Sequence, residues 1–271
     1  MTKNQVKHII DDHYRKSKKQ LNHIIPGFDP ESIHQFRVWY KKLRAFLRMI
    51  SQQNEKGRGV KFFKKLKKAY KISGSIRDLQ LQQQRIQQTI NPKLKKPEGY
   101  LMLLQKEIEK LKPAFSEIIS EEPVSESIKR TGAAIPDKFT LLDFKLFSEK
   151  KWDAVNTIVV SGHFSDERIH AIRKNLKDLF YNLKISEGVD GDIESLSVWR
   201  GNEEPYIDQL LDELGNFQNN CMAIILIKSY WKDSLIDGNR VKLVKLKKIW
   251  EKQKQKQKQL LVKKLKAAVN R

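Results

Sequence analysis

His34, Arg37, Lys41, Arg44 and Arg48 recur at alternating steps of three and four residues. At about 100° per residue these positions fall within about 80° of one another on an α-helix, so they form one ridge. Like charges at one-turn spacing repel, and a ligand carrying a row of negative charges relieves the repulsion. The chemistry this spacing supports is anion recognition: Arg presents a planar fork to phosphate or carboxylate oxygens, and Lys a mobile point charge. Lys42 lies in the same segment. A second basic file follows at Lys61, Lys64, Lys65, Lys68 and Lys71, with Phe62, Leu66, Ala69 and Tyr70 on the opposite side.

The elements that must carry these residues are helices. Asp29 at an N-cap, followed by Pro30 at the first helical position, predicts a helix start. Ile33, Phe36, Tyr40, Leu43 and Leu47 then give that helix an apolar face to bury, up to about Ser51. The stretch QQNEKGRG predicts a turn, and the next helix, about Val60 to Ser73, is an antiparallel neighbour. Gly74 is expected to kink or break it. Helical periodicity runs through the rest, and no alternating strand pattern interrupts it. Further helices are predicted at about Thr2–Ile24, Tyr100–Ser120, Asp137–Ile158, Asp166–Ile185 and Tyr206–Trp231. A last one runs from Leu235 or Asn239 to the end. Asn91-Pro92 and Pro97-Glu98-Gly99 bound a turn. EEPVSESIKRTGAAIP is the best boundary between two halves, about residues 1–125 and 126–271. SEGVDGDIESLSVWRGNEEP reads as an irregular acidic connector. The Lys–Gln alternation at 252–259 either extends the last helix, adding its lysines to the cationic surface, or is a solvated basic tail.

Composition narrows the partner. The 271 residues carry a formal charge of +22, which predicts attraction to polyanions: nucleic acid, an anionic membrane surface or chains of phosphate. One cysteine, Cys221, excludes an intrachain disulfide and a Cys-based zinc site, and fits a reducing compartment and a small buried side chain. The N-terminal residues show no apolar core of a signal peptide, and the longest apolar run, Met222 to Ile227, is too short to span a bilayer. The expected location is the cytoplasm, and the expected form a soluble protein.

Sliding the chain against itself exposes a repeat. Ser165–Lys174 aligns with Asp29–Val38, placing His170 on His34 and Arg173 on Arg37. Lys177 then matches Lys41, and Leu214-Gly215-Asn216-Phe217-Gln218-Asn219 echoes Ser73-Gly74-Ser75-Ile76-Arg77-Asp78. Such a repeat predicts two similar helical bundles about a pseudo-two-fold axis, with the two His-headed helices facing one cleft.

The pattern H-x-x-R-V-x-x-K-K-L-R at His34–Arg44, the R-D-L at Arg77–Leu79 and the second H-x-x-R-K-x-x-K followed by Tyr181 resemble the CHAD family, the conserved histidine α-helical domain. The resemblance spans about residues 3–268. It departs in the second copy, where Asp178 and Phe180 stand in place of usual basic residues. It implies an all-α fold of two pseudo-symmetric antiparallel four-helix bundles around a basic central cavity. It also implies binding of inorganic polyphosphate, with no catalytic activity established for the module itself; no metal or cofactor is expected, and an association with polyphosphate granules belongs to the expected location. The E-x-E-x-K mark of the triphosphatase domains that often accompany this family is absent, which reads as a stand-alone module.

The residues expected to contact polyphosphate are His34, Arg37, Lys41, Lys42, Arg44, Arg48, Lys61, Lys64, Lys65, Lys68 and Arg77 from the first copy. His170, Arg173, Lys174 and Lys177 are those of the second. For the two histidines, phosphate donation, helix cross-linking, and metal ligation or phosphoryl transfer stay open. Arg77 and Asp78 fit either an internal salt bridge or, for Arg77, a ligand contact. The competing function is RNA or DNA binding through the same surface. Against it, no helix-turn-helix or RNP-type signature appears, and Trp and Phe fall on core-like faces. An enzyme would need a P-loop or paired metal-binding acids, and neither pattern occurs.

Overall fold

The computed structural model describes residues 1–53, 64–90, 96–132, 135–187, 198–229 and 237–269. Two helix starts follow from local chemistry. At α1 (Lys3–Ile24) Thr2 and Gln5 form a reciprocal capping box, and at α2 (Pro30–Ile50) Asp29 accepts from the Ser32 N–H at 2.7 Å. A short 3₁₀ turn, Ser51–Gln53, ends α2. Then come α3 (Lys64–Thr89), α4 (Glu98–Ser120), α5 (Pro123–Gly132), α6 (Leu141–Val160), α7 (Asp166–Glu187), α8 (Glu204–Ser229) and α9 (Asp237–Val269). No strand occurs among the described residues; Thr2 and Lys138 form one isolated bridge. The fold is all-α, as the periodicity predicts.

In the first half α1 packs on α2, α2 on α3, and α3 on α4. The second half repeats this with α6 on α7, α7 on α8, and α8 on α9. The halves meet where α2 lies against α7 and α3 against α8. One apolar core runs through both, from Tyr14, Phe36 and Phe115 to Phe147, Trp199 and Trp250. Burying such rings stabilises each by about 2–3 kcal/mol relative to exposure, and their continuity welds the halves together.

The structure decides three local points, and corrects the expected break at Gly74. Gly74 does not break its helix: α3 runs unbroken through it to Thr89. The boundary stretch folds at 123–132 as α5, which starts at Pro123, gains a Glu126–Arg130 ion pair at 2.8 Å, and packs on α1, α3 and α4. The expected division at 125/126 falls inside it. The Lys–Gln tract is helical within α9. Cys221 is buried, as expected. The turn at 54–59, the chain at 91–95, the middle half of the acidic connector (188–197) and residues 230–236 lie outside the described residues.

Candidate anion-binding cleft

The cleft forms where α2 and α7 run side by side, with α3 and α8 as flanking walls. Arg37 is seated first. Its Nη1 donates to the Tyr70 carbonyl at 2.8 Å, and its guanidinium lies 4.5 Å from the Tyr70 ring centre. It rests on Gly74, where an added Cβ would stand 2.5 Å from Nη1. Glycine in mid-helix costs about 1 kcal/mol against Ala; here it opens the space the guanidinium fills. Arg173, its repeat partner, lies on Gly215 in the same way, with a looser 3.4 Å to an added Cβ.

Tyr40 and Tyr70 stack at 4.1 Å, nearly parallel, and Arg44 sits 5.5–5.9 Å from both rings. These rings hold the guanidinium groups of Arg37 and Arg44 by cation–π attraction. Lys41 occupies the centre. Burial pushes its ammonium down to about 7, assisted by Arg37, Arg173, Arg44 and Lys177. The strongest charged neighbours of this lysine are therefore four cations drawn from both copies of the repeat. Burial and then Arg173 also depress Lys177. Asp78 faces the same space and is held above the usual carboxylate range by burial, against the pull of Arg37, Lys41 and Arg77.

The histidines mark one end. Burial and then Arg77 lower the His34 imidazole; burial and then Lys174 and Arg173 lower that of His170, which Gln218 partly offsets. Both shifts favour the neutral imidazole. Arg77 donates from Nη1 to the Pro30 carbonyl at 3.3 Å, tying α3 to the start of α2. Of the two readings of this pair, an ion pair between Arg77 and Asp78 is not formed among the described residues, although the two charges act on each other through space.

Other expected residues are placed elsewhere. Arg48 is not a free member of the file: it reaches Asp178 at 3.0 Å, and Lys151 reaches the same carboxylate at 2.8 Å. Lys42 turns outward onto Trp39, at 4.5 Å from the ring centre, with Lys16 at 4.7 Å beside it. Trp39 thus lies between cations rather than on a core-like face. Lys65 is ion-paired with Glu121. Lys64, Lys68 and Lys174 are exposed, and Lys61 lies outside the described residues. Tyr70 and Gly74 define the edge of α3 that meets α2. From Gly74, at about 100° per residue, Lys67 lies about 20° away, Lys71 about 60° and Lys64 about 80°, whereas Lys68 and Lys65 lie about 120° and 180° away. The lysine file read from sequence therefore splits between two faces, and Lys67, left out of it, stands nearest the cleft.

Further along α3 and α8 lies a hollow of about 270 Å³, lined by Asp78, Gln82, Arg85, Asn216, Asn219 and Gln257. Arg85 donates to Asn220 and, at 3.3 Å, to Gln253, and lies 5.0 Å from the Trp250 ring. The sequence reading missed this arginine; only its place about two helical turns beyond Arg77 and Asp78 could have signalled it. Among the described residues no group of three or more His, Cys, Asp or Glu side chains is placed to hold a metal ion, and no helix is long and apolar enough to cross a membrane.

A paired Arg-on-Gly seat at the same place in both halves is what family comparison then meets. The CHAD domain model matches residues 8–228. The chain belongs to the CHAD family. Its fold is similar to the crystal structure of the CHAD domain from the plant Ricinus communis, with a TM-score of 0.76 at 14% identity, covering 100% of this chain and 92% of that one. No curated protein sequence matches. The α9 helix lies outside the residues that the CHAD model matches.

Proposed function

We propose that this CHAD protein binds inorganic polyphosphate in the cleft, without turning it over. The observation that carries the reading is Lys41, a largely buried ammonium whose strongest charged neighbours are Arg37, Arg173, Arg44 and Lys177. Such a cluster is costly alone and stabilised by an anion threaded among the cations. Membership of the family supports the choice of polymer. So does the aromatic geometry: Tyr40 and Tyr70 stack on each other and carry guanidinium groups, so their faces are already covered and offer no platform for a nucleobase. A chain of phosphates needs none. Arg37, Lys41, Arg44, Arg173 and Lys177 make the first contacts in this reading, with His34 and His170 as neutral donors at one end.

The test is binding of long-chain polyphosphate, followed by calorimetry, to the wild type and to an Arg37→Gln/Lys41→Gln/Arg44→Gln variant. The proposal expects most of the affinity and much of its salt dependence to vanish in the variant. Equal binding by both proteins would remove the site from this cleft. Binding of single-stranded RNA that polyphosphate cannot displace at equal phosphate concentration would favour nucleic acid instead. Magnesium-dependent release of phosphate from polyphosphate would contradict binding without turnover.

A further inference from the structure

A second row of cations lies on the outer side of α9, away from the cleft. Lys245, Lys248, Lys252, Lys256, Lys263 and Lys266 are all exposed. At about 100° per residue they fall within about 80° of one another, over a length of about 32 Å. The remaining lysines of the central and distal parts of α9 are engaged. Lys247 faces Glu251 at 3.7 Å, Lys254 and Lys258 hold Asp166 at 2.7 and 3.2 Å, and Lys264 pairs with Glu213. The six outer lysines have no ion-pair partner among the described residues. The helix sorts its cations by side: those facing the body are neutralised, and those facing outward are not.

The inner side explains why this ridge is rigid. Leu243, Leu246 and Trp250 anchor one end of α9, and Leu261, Leu265 and Ala268 the other. The six lysines therefore project from a helix fixed at both ends, in an order that solvent alone does not require.

We infer that this ridge is a second polyanion surface, which takes the phosphate backbone of duplex nucleic acid without reading its sequence. The ridge lies along one side of a single helix, so it meets its ligand from one side only. A thin flexible phosphate chain gains most where cations converge on it, as in the cleft. A stiff duplex, with one negative charge per about 1.7 Å of axis, instead presents a dense row of phosphates along the full 32 Å or so. The ridge holds no arginine for bidentate contacts to base edges and no exposed aromatic for stacking, which leaves backbone contact alone. Insertion into a lipid surface is disfavoured because most apolar residues of α9 are committed to the core, leaving only Val241 and Leu260 exposed at or beside the ridge.

The test uses the full chain with Lys248→Gln/Lys252→Gln/Lys256→Gln substitutions, which keep good helix formers and match the Gln residues already in the tract. Unchanged far-ultraviolet circular dichroism establishes that the variant folds. Fluorescence anisotropy with a labelled 20-base-pair DNA and a labelled RNA duplex is followed across salt. The wild type should bind one or both duplexes, and the substitutions should weaken that binding at least ~10-fold at low salt and flatten the logarithmic salt slope by about 3, one unit per lost phosphate contact. Binding of only one duplex supports the surface and identifies its source. A Lys41→Gln/Arg44→Gln cleft variant should bind duplex like the wild type, and the ridge variant should keep polyphosphate affinity. The inference is overturned if the ridge variant binds duplex normally, or if the cleft variant loses duplex. It also fails if the ridge substitutions abolish polyphosphate binding, or if they remove binding to phosphatidylserine vesicles and leave duplex untouched.

Discussion

In the first half Arg37 lies on Gly74, with Lys67 and Lys71 along the same edge of α3; in the second, Arg173 lies on Gly215 and the matching positions of α8 are Asp208 and Asp212. The differences continue. Tyr40 and Tyr70, which hold Arg37 and Arg44, become Leu176 and Leu211, both buried in the core. Arg77 and Asp78 become Gln218 and Asn219, and Lys42 becomes Asp178, which gathers Arg48 and Lys151. Asp212 supports the charge of Arg173, and Asp208 and Asp212 that of Lys177. One backbone plan thus carries two electrostatic programmes. The second copy offsets more of its own charge with nearby carboxylates and steadies the interface, while the cations around Lys41 in the first copy have fewer acidic neighbours.

The largest test of that asymmetry is charge removal in matched sets. Arg37→Gln/Lys41→Gln/Arg44→Gln should cost polyphosphate affinity ~100-fold or more, since charge-assisted hydrogen bonds contribute about 1.5–3 kcal/mol each before solvent screening. Arg173→Gln/Lys177→Gln should cost about tenfold. Equal losses, measured by calorimetry, would make the halves equivalent.

Next in size is conversion of one half into the other. Asp208→Lys/Asp212→Lys gives α8 the edge of α3. Affinity should rise about tenfold while the free protein melts at lower temperature, because repulsion is no longer offset. A variant that bound no better would mean that the second wall does not face the ligand.

Lys41 supplies a pH signature. In the unfolded chain it keeps its proton up to the ordinary lysine value of 10.5, and in the folded protein only up to about 7. Between these the unfolded chain holds more protons, so stability of the free protein rises with pH across that window. A bound polyanion restores the proton, so affinity falls over the same window, and at pH 8 binding should take up close to one proton. Calorimetry in buffers of different ionisation enthalpy reads this directly; uptake that persists in Lys41→Gln would assign it to another group.

The smallest effects separate the two glycine seats. Gly74→Ala displaces the Arg37 guanidinium, which can swing away, so affinity should drop a few-fold with little change in melting temperature. Gly215→Ala meets Arg173 at ordinary contact distance and should stabilise α8 by up to about 1 kcal/mol with affinity unchanged. A reversed pattern would exchange the roles of the two arginines.

Much of this was legible in the residues. The 3.6-residue rhythm announces the helices, Asp29-Pro30 announces the start of α2, and the repeat pairs Arg37 with Arg173 and Gly74 with Gly215 before any contact is seen. What sequence could not choose was the side of α3 that faces the cleft. Lys65 and Lys68 are spaced as plausibly as Lys67 and Lys71, and only the docking of Tyr70 and Gly74 against Arg37 decides between them. Gly74 read as a break because its propensity is poor; a guanidinium packed into the gap outweighs that. The fate of Arg48 depends on Asp178, 130 residues away, and no local signal announces it. Arg85 was passed over because it stands in a glutamine-rich run that looks like solvated surface.

The tract at 252–259 has a further consequence. It joins the two apolar anchors of α9 through Gln253, Lys254, Gln257 and Lys258, of which the two lysines hold Asp166. One Lys–Gln unit more or less turns everything beyond it by about 200°, swinging Leu261, Leu265 and Ala268 out of the core. The length of the tract is therefore held by the phase of a helix rather than by its composition.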